Sequence, residues 1–171
     1  MSNTFDPSSP RAIAGLEFQS KVLEELQAFS EINDVEETRE FFKREDPDVS
    51  DFQLNMLEKH FGDITFTAND KRYWVECCLA MGQQRSLMCE RKRMNFQGDN
   101  RWYCYGKISS PEERVYIPAH VWRAYTAKCP MVSRDKWLFR QIKPRLIGSN
   151  IRAAKLSNQE FVSSIIPQLP F

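Results

Sequence analysis

The chain has 171 residues, of which 42% are hydrophobic and 27% are charged. This is the composition of one ordinary globular domain, which we expect to span residues 1–171. No apolar stretch is long enough for a membrane-spanning helix, and residues 1–10 are polar, which predicts a flexible lead-in and no secretory signal. Composition therefore excludes a membrane protein and predicts a cytoplasmic one.

The cysteine content also indicates a reducing compartment. The five cysteines are an odd number, and their spacings match no zinc-binding motif. They are Cys77, Cys78, Cys89, Cys104 and Cys129. We therefore expect free thiols in an intracellular protein.

The net charge of +1 hides a strong asymmetry between the two halves of the chain. Residues 1–70 carry 16 acidic and 6 basic side chains, a net charge of −10, whereas residues 71–171 carry 7 acidic and 18 basic side chains, a net charge of +11. Such a division is typical of proteins that bind nucleic acid or another polyanion. The alternative is that the two halves neutralise each other within one fold.

In chain order, the first half is predicted to be mainly helical. Apolar residues recur at helical spacing over residues 11–29 and predict a first helix. Two shorter helices are predicted over residues 35–43 and 50–60, the second of them beginning at Ser50 as the N-cap.

The periodicity then changes from helix to strand. Residues 63–67 and 72–78 are rich in β-forming side chains and flank a turn at residues 68–70, which predicts a hairpin. A basic helix, or a helix followed by a loop, is predicted over residues 83–96. A turn at residues 97–100 follows it.

The second half is predicted to complete the sheet. Strands are predicted over residues 101–108 and 114–117, and a short helix begins at Pro118. Residues 136–147 fit either a strand or a helix, and residues 157–166 form a helix with a capping box. We therefore expect an α/β (α+β) fold with a central mixed sheet flanked by helices.

Three acidic residues stand out by their positions. Glu17 lies on the first predicted helix, Asp63 opens the first strand of the hairpin, and Glu76 lies on the second strand among apolar neighbours. Two carboxylates that meet in a hairpin repel each other unless a cation or a shared proton compensates them. Oxygen ligands of this kind suit Mg²⁺ or Mn²⁺. Each acid also has an ordinary alternative, namely a solvated helix residue, a turn residue and an edge or arginine-paired residue, respectively.

The pattern of these acids resembles the PD-(D/E)XK, or restriction-endonuclease-like, nuclease superfamily. The resemblance extends over residues 11–117 and is carried by Gly15-Leu16-Glu17-Phe18, Gly62-Asp63-Ile64-Thr65-Phe66 and Trp74-Val75-Glu76-Cys77-Cys78. It implies an α-β-β-β-α-β core, here with inserted N-terminal helices, and metal-dependent hydrolysis of DNA phosphodiester bonds. The compact size is typical of phage or mobile-element members.

The resemblance also implies roles for individual residues. Asp63, Glu76 and the Cys77 carbonyl would bind the metal, and Glu17 would orient water or complete a second metal site. Cys78 departs from the pattern, because the superfamily has a lysine two residues after the glutamate. We expect Lys92, on the following helix, to supply the missing positive charge, although it could instead belong to a solvated charge cluster.

A group of basic and aromatic side chains is the predicted nucleic-acid surface. Basic side chains neutralise phosphates, and aromatic rings can stack on unpaired bases. The predicted group comprises Arg85, Arg91, Arg93, Arg101, Trp102 and Lys107. Trp102 could alternatively fill the core. A second basic stretch, residues 134–145, could extend the surface.

Two functions of different classes follow from these patterns. The first is a Mg²⁺- or Mn²⁺-dependent nuclease, with Glu17, Asp63, Glu76 and Lys92 at its active site and DNA as its substrate. The second is a non-catalytic module on a degenerate nuclease fold that binds nucleic acid, or a protein partner through its acidic N-terminal half. A basic group that reaches the two carboxylates would favour the nuclease.

Overall fold

The computed structural model describes residues 6–80, 86–107, 110–142 and 156–165. Within these ranges the helices are α1 (Pro10–Gln27), α2 (Thr38–Glu45), α3 (Asp51–Phe61), α4 (Glu90–Asn95), α5 (Ala119–Thr126) and α6 (Asn158–Ile165). The strands are β1 (Asn33–Glu37), β2 (Ile64–Ala68), β3 (Lys71–Ala80), β4 (Ser86–Cys89), β5 (Arg101–Lys107), β6 (Ser110–Pro118), β7 (Met131–Arg134) and β8 (Trp137–Ile142).

The larger sheet has five strands in the order β1-β2-β3-β5-β6. Neighbouring strands in this sheet are antiparallel, except for β3 and β5, which are parallel. The chain passes from β3 to β5 by a crossover that contains β4 and α4, and parallel neighbours require a crossover of this kind. The sheet is therefore mixed, and the expected α/β class with a central mixed sheet and flanking helices is confirmed.

Side chains of the central strand β3 alternate between two apolar clusters. Val75 and Cys77 point to the cluster covered by α1 and α6, whereas Trp74 and Cys78 point to the cluster covered by α2, α3 and α5. Alternation is the ordinary pattern of a strand, and it assigns Glu76 to the second face, between Trp74 and Cys78. Both faces of the sheet are thus buried, which explains the nearly continuous apolar run in β3.

The smaller sheet has three antiparallel strands in the order β4-β8-β7. It joins the second face of the larger sheet through Ile142, which is fully buried there, and through Met88. Arg140 of β8 also bonds to Glu90 at the start of α4, with nitrogen–oxygen distances of 3.0 and 3.2 Å. The smaller sheet and α4 are therefore packed together.

Several predicted elements are confirmed. Helix α1, helix α3 with Ser50 as its N-cap, and the hairpin of β2 and β3 all form. The hairpin turn is tight because Asn69 and Asp70 both have positive φ, as a two-residue type I′ turn requires. Helix α6 also has its predicted capping box, in which Ser157 and Glu160 bond to each other's backbone amides.

Three predicted elements need correction. Residues 35–43 were expected to form one helix, but residues 33–37 form β1 and only Thr38 begins α2. Of the helix expected over residues 83–96, residues 86–89 form β4 and α4 spans six residues, while residues 83–85 lie outside the described part of the chain. Residues 137–142 of the ambiguous segment 136–147 form β8, and residues 143–147 are not described.

Candidate active site

Asp63 is held against β3 by the backbone that precedes it. Gly62 ends α3 with φ of +80°, and a Cβ atom at this position would lie 2.7 Å from the Val75 carbonyl oxygen, so only glycine allows this approach. The Asp63 amide then donates to the Val75 carbonyl oxygen, at 2.8 Å. Its carboxylate Oδ2 accepts from the Cys77 amide, also at 2.8 Å. Asp63 is thus fixed at the start of β2, beside residues 75–77 of β3.

Glu76 is a buried carboxylate on β3, only 5% exposed. One of its oxygens, Oε1, is paired with the Lys92 ammonium, whereas Oε2 is buried and has no hydrogen-bond partner in the described part of the chain. Burial, and then the negative charge of Asp63, raise the pKa of Glu76 to about 8. The Glu76 carboxyl group therefore holds its proton to a higher pH than an ordinary glutamate, although the Lys92 ammonium favours its charged form.

Lys92 reaches this carboxylate from α4. Its side chain is 36% exposed, so the ammonium lies at the boundary between the buried carboxylate and solvent. Burial acts to lower the pKa of Lys92, but the charges of Glu76 and Asp63 outweigh it and hold the pKa above its ordinary value. Lys92 therefore remains a cation across the physiological pH range.

Cys78 occupies the strand position where the superfamily pattern has a lysine. Its thiol points to the same face as Glu76 and is hydrogen-bonded with Tyr105, and burial raises its pKa well above the ordinary value. A neutral thiol supplies no positive charge. The positive charge beside Glu76 is that of Lys92, which lies on α4 rather than on β3.

Glu58 is a third carboxylate near the site, and it was not among the predicted site residues. It lies on α3, and its carbonyl oxygen accepts the Gly62 amide at 2.8 Å, so it precedes Asp63 by little more than one helical turn. Burial raises its pKa, Arg39 lowers it, and the charge of Asp63 raises it further. Arg39 bonds to its two oxygens at 3.3 and 3.4 Å. The sequence signal that could have identified Glu58 is an acidic residue one helical turn before Gly62 and Asp63.

Glu17 does not join these residues. It is exposed on α1, and the buried side of α1 packs on the first face of the sheet, where a Cβ atom at Gly106 would lie 2.5 Å from the Phe18 ring. Glu76 lies on the other face. The structure therefore brings together Asp63, Glu76 and Lys92 and leaves the expected contribution of Glu17 without a structural basis.

The predicted nucleic-acid residues are dispersed. Arg91 and Lys107 are exposed, and Arg101 is partly exposed, with its guanidinium 4.9 Å from the centre of the Phe61 ring. Arg85 lies outside the described residues. Arg101 and Lys107 lie at opposite ends of β5, and Arg91 lies on α4.

Arg93 and Trp102 were expected to contact nucleic acid at the surface. Instead, Arg93 is buried and Trp102 packs against the core. Arg93 is 3% exposed, and its guanidinium bonds to Glu90, to the Arg123 carbonyl oxygen and to Thr126. Trp102 packs against the first apolar cluster, 4.8 Å from the centre of the Phe161 ring. Arg93 is therefore not available to phosphates, and the packed side of the Trp102 ring is not available to a base.

The donor set fits a small divalent cation only with help from the backbone and water. Among the described residues, no three histidine, cysteine, aspartate or glutamate side chains are close enough to form a metal site by themselves. The repelling carboxylates of Asp63 and Glu76 and the unpaired Glu76 Oε2 are nevertheless groups that a cation would satisfy. Mg²⁺ ordinarily binds through one or two carboxylates and keeps several waters. Asp63, Glu76 and the backbone beside them are the groups here that could hold such an ion.

Comparison of the chain with protein-family models, with curated proteins and with solved structures found no match. In the described residues, no helix has both the length and the apolar character needed to cross a membrane. Inference about function therefore depends on the site itself.

Proposed function

We propose that the protein is a metal-dependent nuclease that hydrolyses phosphodiester bonds in DNA. The observation that carries the proposal is the ion pair between Lys92 and Glu76 beside the Asp63 carboxylate. A cation next to two acids at a partly exposed position is the combination that phosphodiester hydrolysis requires. The ammonium comes from α4 and thereby compensates for the neutral Cys78.

The order of the elements gives further support. The series α1, β1, β2, β3, α4, β5 has the α-β-β-β-α-β sequence that the resemblance implies, with α2 and α3 inserted after β1 and β4 inserted before α4. Asp63 immediately precedes β2, and Glu76 lies on β3. These are the two strands to which the resemblance assigns the metal-binding acids.

Asp63, Glu76 and the Cys77 carbonyl would hold the metal ion. The Cys77 amide already bonds to Asp63, and strand geometry directs the amide and the carbonyl of one residue to the same side. Bound there, Mg²⁺ or Mn²⁺ would polarise the phosphodiester and lower the pKa of water. Lys92 would stabilise the negative charge that develops on the phosphate.

A nuclease assay with matched variants tests the proposal. Single-stranded, duplex and branched DNA would be incubated with Mg²⁺ or Mn²⁺ and with the wild type, Lys92→Met, or Lys59→Met as the exposed control. We expect Lys92→Met to reduce hydrolysis about 10²- to 10³-fold, the usual effect of removing one charge-stabilising group. Asp63→Asn should have an equal or larger effect. Hydrolysis that survives both substitutions would not arise from this site.

One observation favours a second function, a non-catalytic binding module on the same fold. Lys92 already pairs with one oxygen of Glu76, and a carboxylate paired in this way can persist without any metal. Thermal denaturation separates the two functions, because a metal that binds the folded state must raise its melting temperature. No shift at millimolar Mg²⁺ and Mn²⁺, together with no hydrolysis, would overturn the nuclease, and binding of nucleic acid without metal would then support the binding module.

A further inference from the structure

The β7–β8 hairpin is a short, well-defined ribbon at the edge of the smaller sheet. Arg134 pairs with Trp137 across the hairpin, and Asp135 and Lys136 form the two-residue turn between them. Both turn residues have positive φ, 48° and 70°, as a type I′ turn requires. A turn of this type fixes the register of the ribbon, so the side chains at its tip have defined positions.

Trp137 is the exposed tryptophan of this chain. Its exposed fraction is 47%, compared with 6% for Trp74 and 0% for Trp122, while Trp102 is packed against the core. Directly opposed residues of an antiparallel pair point to the same face, with Cβ atoms about 5 Å apart. The indole of Trp137 and the guanidinium of Arg134 therefore share one face of the ribbon.

The tip of the ribbon also carries positive charge. Arg134 and Lys136 are exposed, and neither forms an ion pair with another described residue. Asp135 is the acidic side chain between them. A rigid aromatic ring beside two solvated cations is complementary to a base with its flanking phosphates.

The ribbon is attached to the helix that carries Lys92. Arg140 of β8 bonds to Glu90 and, at 3.0 Å, to the Cys129 carbonyl oxygen. Glu90 is two residues before Lys92 on α4. A strand held at the ribbon would therefore be held by the same packed unit that supplies the ammonium of the candidate active site.

We propose that the β7–β8 ribbon binds a single-stranded segment of nucleic acid. Trp137 stacks on an unpaired base, and Arg134 and Lys136 contact the adjacent phosphates. This deepens the proposed function by assigning a preference for substrates with unpaired bases next to the cleavage site. Duplex DNA offers no exposed base face to the ring, so it gains only the charge contacts.

Fluorescence anisotropy with labelled DNA in EDTA tests the binding without hydrolysis. The probes are a single-stranded oligonucleotide of about 12 nucleotides, within the usual site size, and the corresponding duplex. Trp137→Ala should weaken single-strand binding roughly five- to 150-fold and should leave duplex binding nearly unchanged. Leu138→Ala is the matched control, because Leu138 is equally exposed, at 49%, on the opposite face of the ribbon. It should bind both probes like the wild type.

Two further measurements identify the contacts. Quenching of tryptophan fluorescence by the single strand should disappear in Trp137→Ala, since the other tryptophans are more enclosed. In the double variant Arg134→Ala and Lys136→Ala, the slope of log affinity against log salt should decrease by about 0.7 per lost phosphate contact.

The outcomes distinguish the ribbon from the active site. Trp137-dependent binding without hydrolysis under any metal condition would support the ribbon and overturn the nuclease. Hydrolysis with unchanged single-strand binding in Trp137→Ala would support the nuclease and overturn the ribbon. The ribbon proposal also fails if no single strand binds at low salt. It fails equally if Trp137→Ala changes only the oligomeric state, since the ribbon would then be a protein interface.

Discussion

Replacing Glu76 by Gln should remove most of the pH dependence of stability near neutral pH. The pKa of Glu76 is about 8 in the folded protein and 4.5 for an ordinary glutamate. Between these values the folded chain retains a proton that the unfolded chain has lost, so the free energy of unfolding falls as the pH rises. Above pH 8 and below pH 4.5 the contribution of this group is constant.

The magnitude follows from the difference between the two pKa values. One pKa unit corresponds to 1.36 kcal/mol, so the full titration of Glu76 would change stability by about 5 kcal/mol. Lys92 keeps its charge throughout this range, because its pKa is raised. Asp63 and Glu58 also have raised pKa values and contribute in the same direction, so Glu76→Gln should retain a smaller slope.

The assay is urea denaturation of the metal-free protein from about pH 5 to about pH 9, the range that the two pKa values define. Wild type should lose stability steadily up to about pH 8, and Glu76→Gln should lose much less. Glu24→Gln, an exposed substitution on α1, is the control and should follow the wild type. Parallel curves for wild type and Glu76→Gln would mean that solvent reaches the carboxylate and that the reasoning is wrong.

The remaining predictions concern metal binding and packing. If the proposed site binds metal, Mg²⁺ or Mn²⁺ should raise the melting temperature of the wild type but not of Asp63→Asn, because the variant lacks one of the two carboxylates proposed to hold the ion. Gly62→Ala should destabilise the fold by about 1–3 kcal/mol in urea denaturation, since its φ is positive and its Cβ would meet Val75. Trp102→Ala should cost about 3–5 kcal/mol of stability, as expected for a packed aromatic ring, and should leave DNA binding of the folded protein intact. Glu90→Gln should weaken the attachment of β8 to α4. Because Arg93 and Arg140 lower the pKa of Glu90 to about 2, the stability this group provides should be lost as the pH falls from 4.5 towards 2.

The central acids could be predicted from sequence because their context is local. Asp63 and Glu76 are 13 residues apart across a tight hairpin, so the pattern of strand and turn residues was enough to bring them together. Whether Glu17 lies near these two acids depends on which face of the sheet α1 covers. Neither helical periodicity nor composition contains that information, and α1 packs on the face opposite Glu76.

Short elements and adjacent charges were harder to predict. Residues 33–37 form a strand because they pair with β2, a tertiary interaction that overrides their helical pattern. Arg91, Lys92 and Arg93 are consecutive bases on a helix of six residues, yet one is exposed, one pairs with Glu76 and one is buried. The burial of Arg93 depends on Thr126 and on Arg140, which shares Glu90 with it, and only the folded structure places these two residues near α4.

The location of Lys92 on α4 has a consequence for dynamics. A lysine on β3 would be immobilised by pairing on both sides of a central strand, whereas a six-residue helix can open while the sheet remains intact. Opening of α4 would separate the ammonium from Glu76 at a free-energy cost below that of global unfolding. The Phe96 amide caps α4 by donating to the Lys92 carbonyl oxygen. In native-state hydrogen exchange, this amide should therefore exchange faster than the amides of β3.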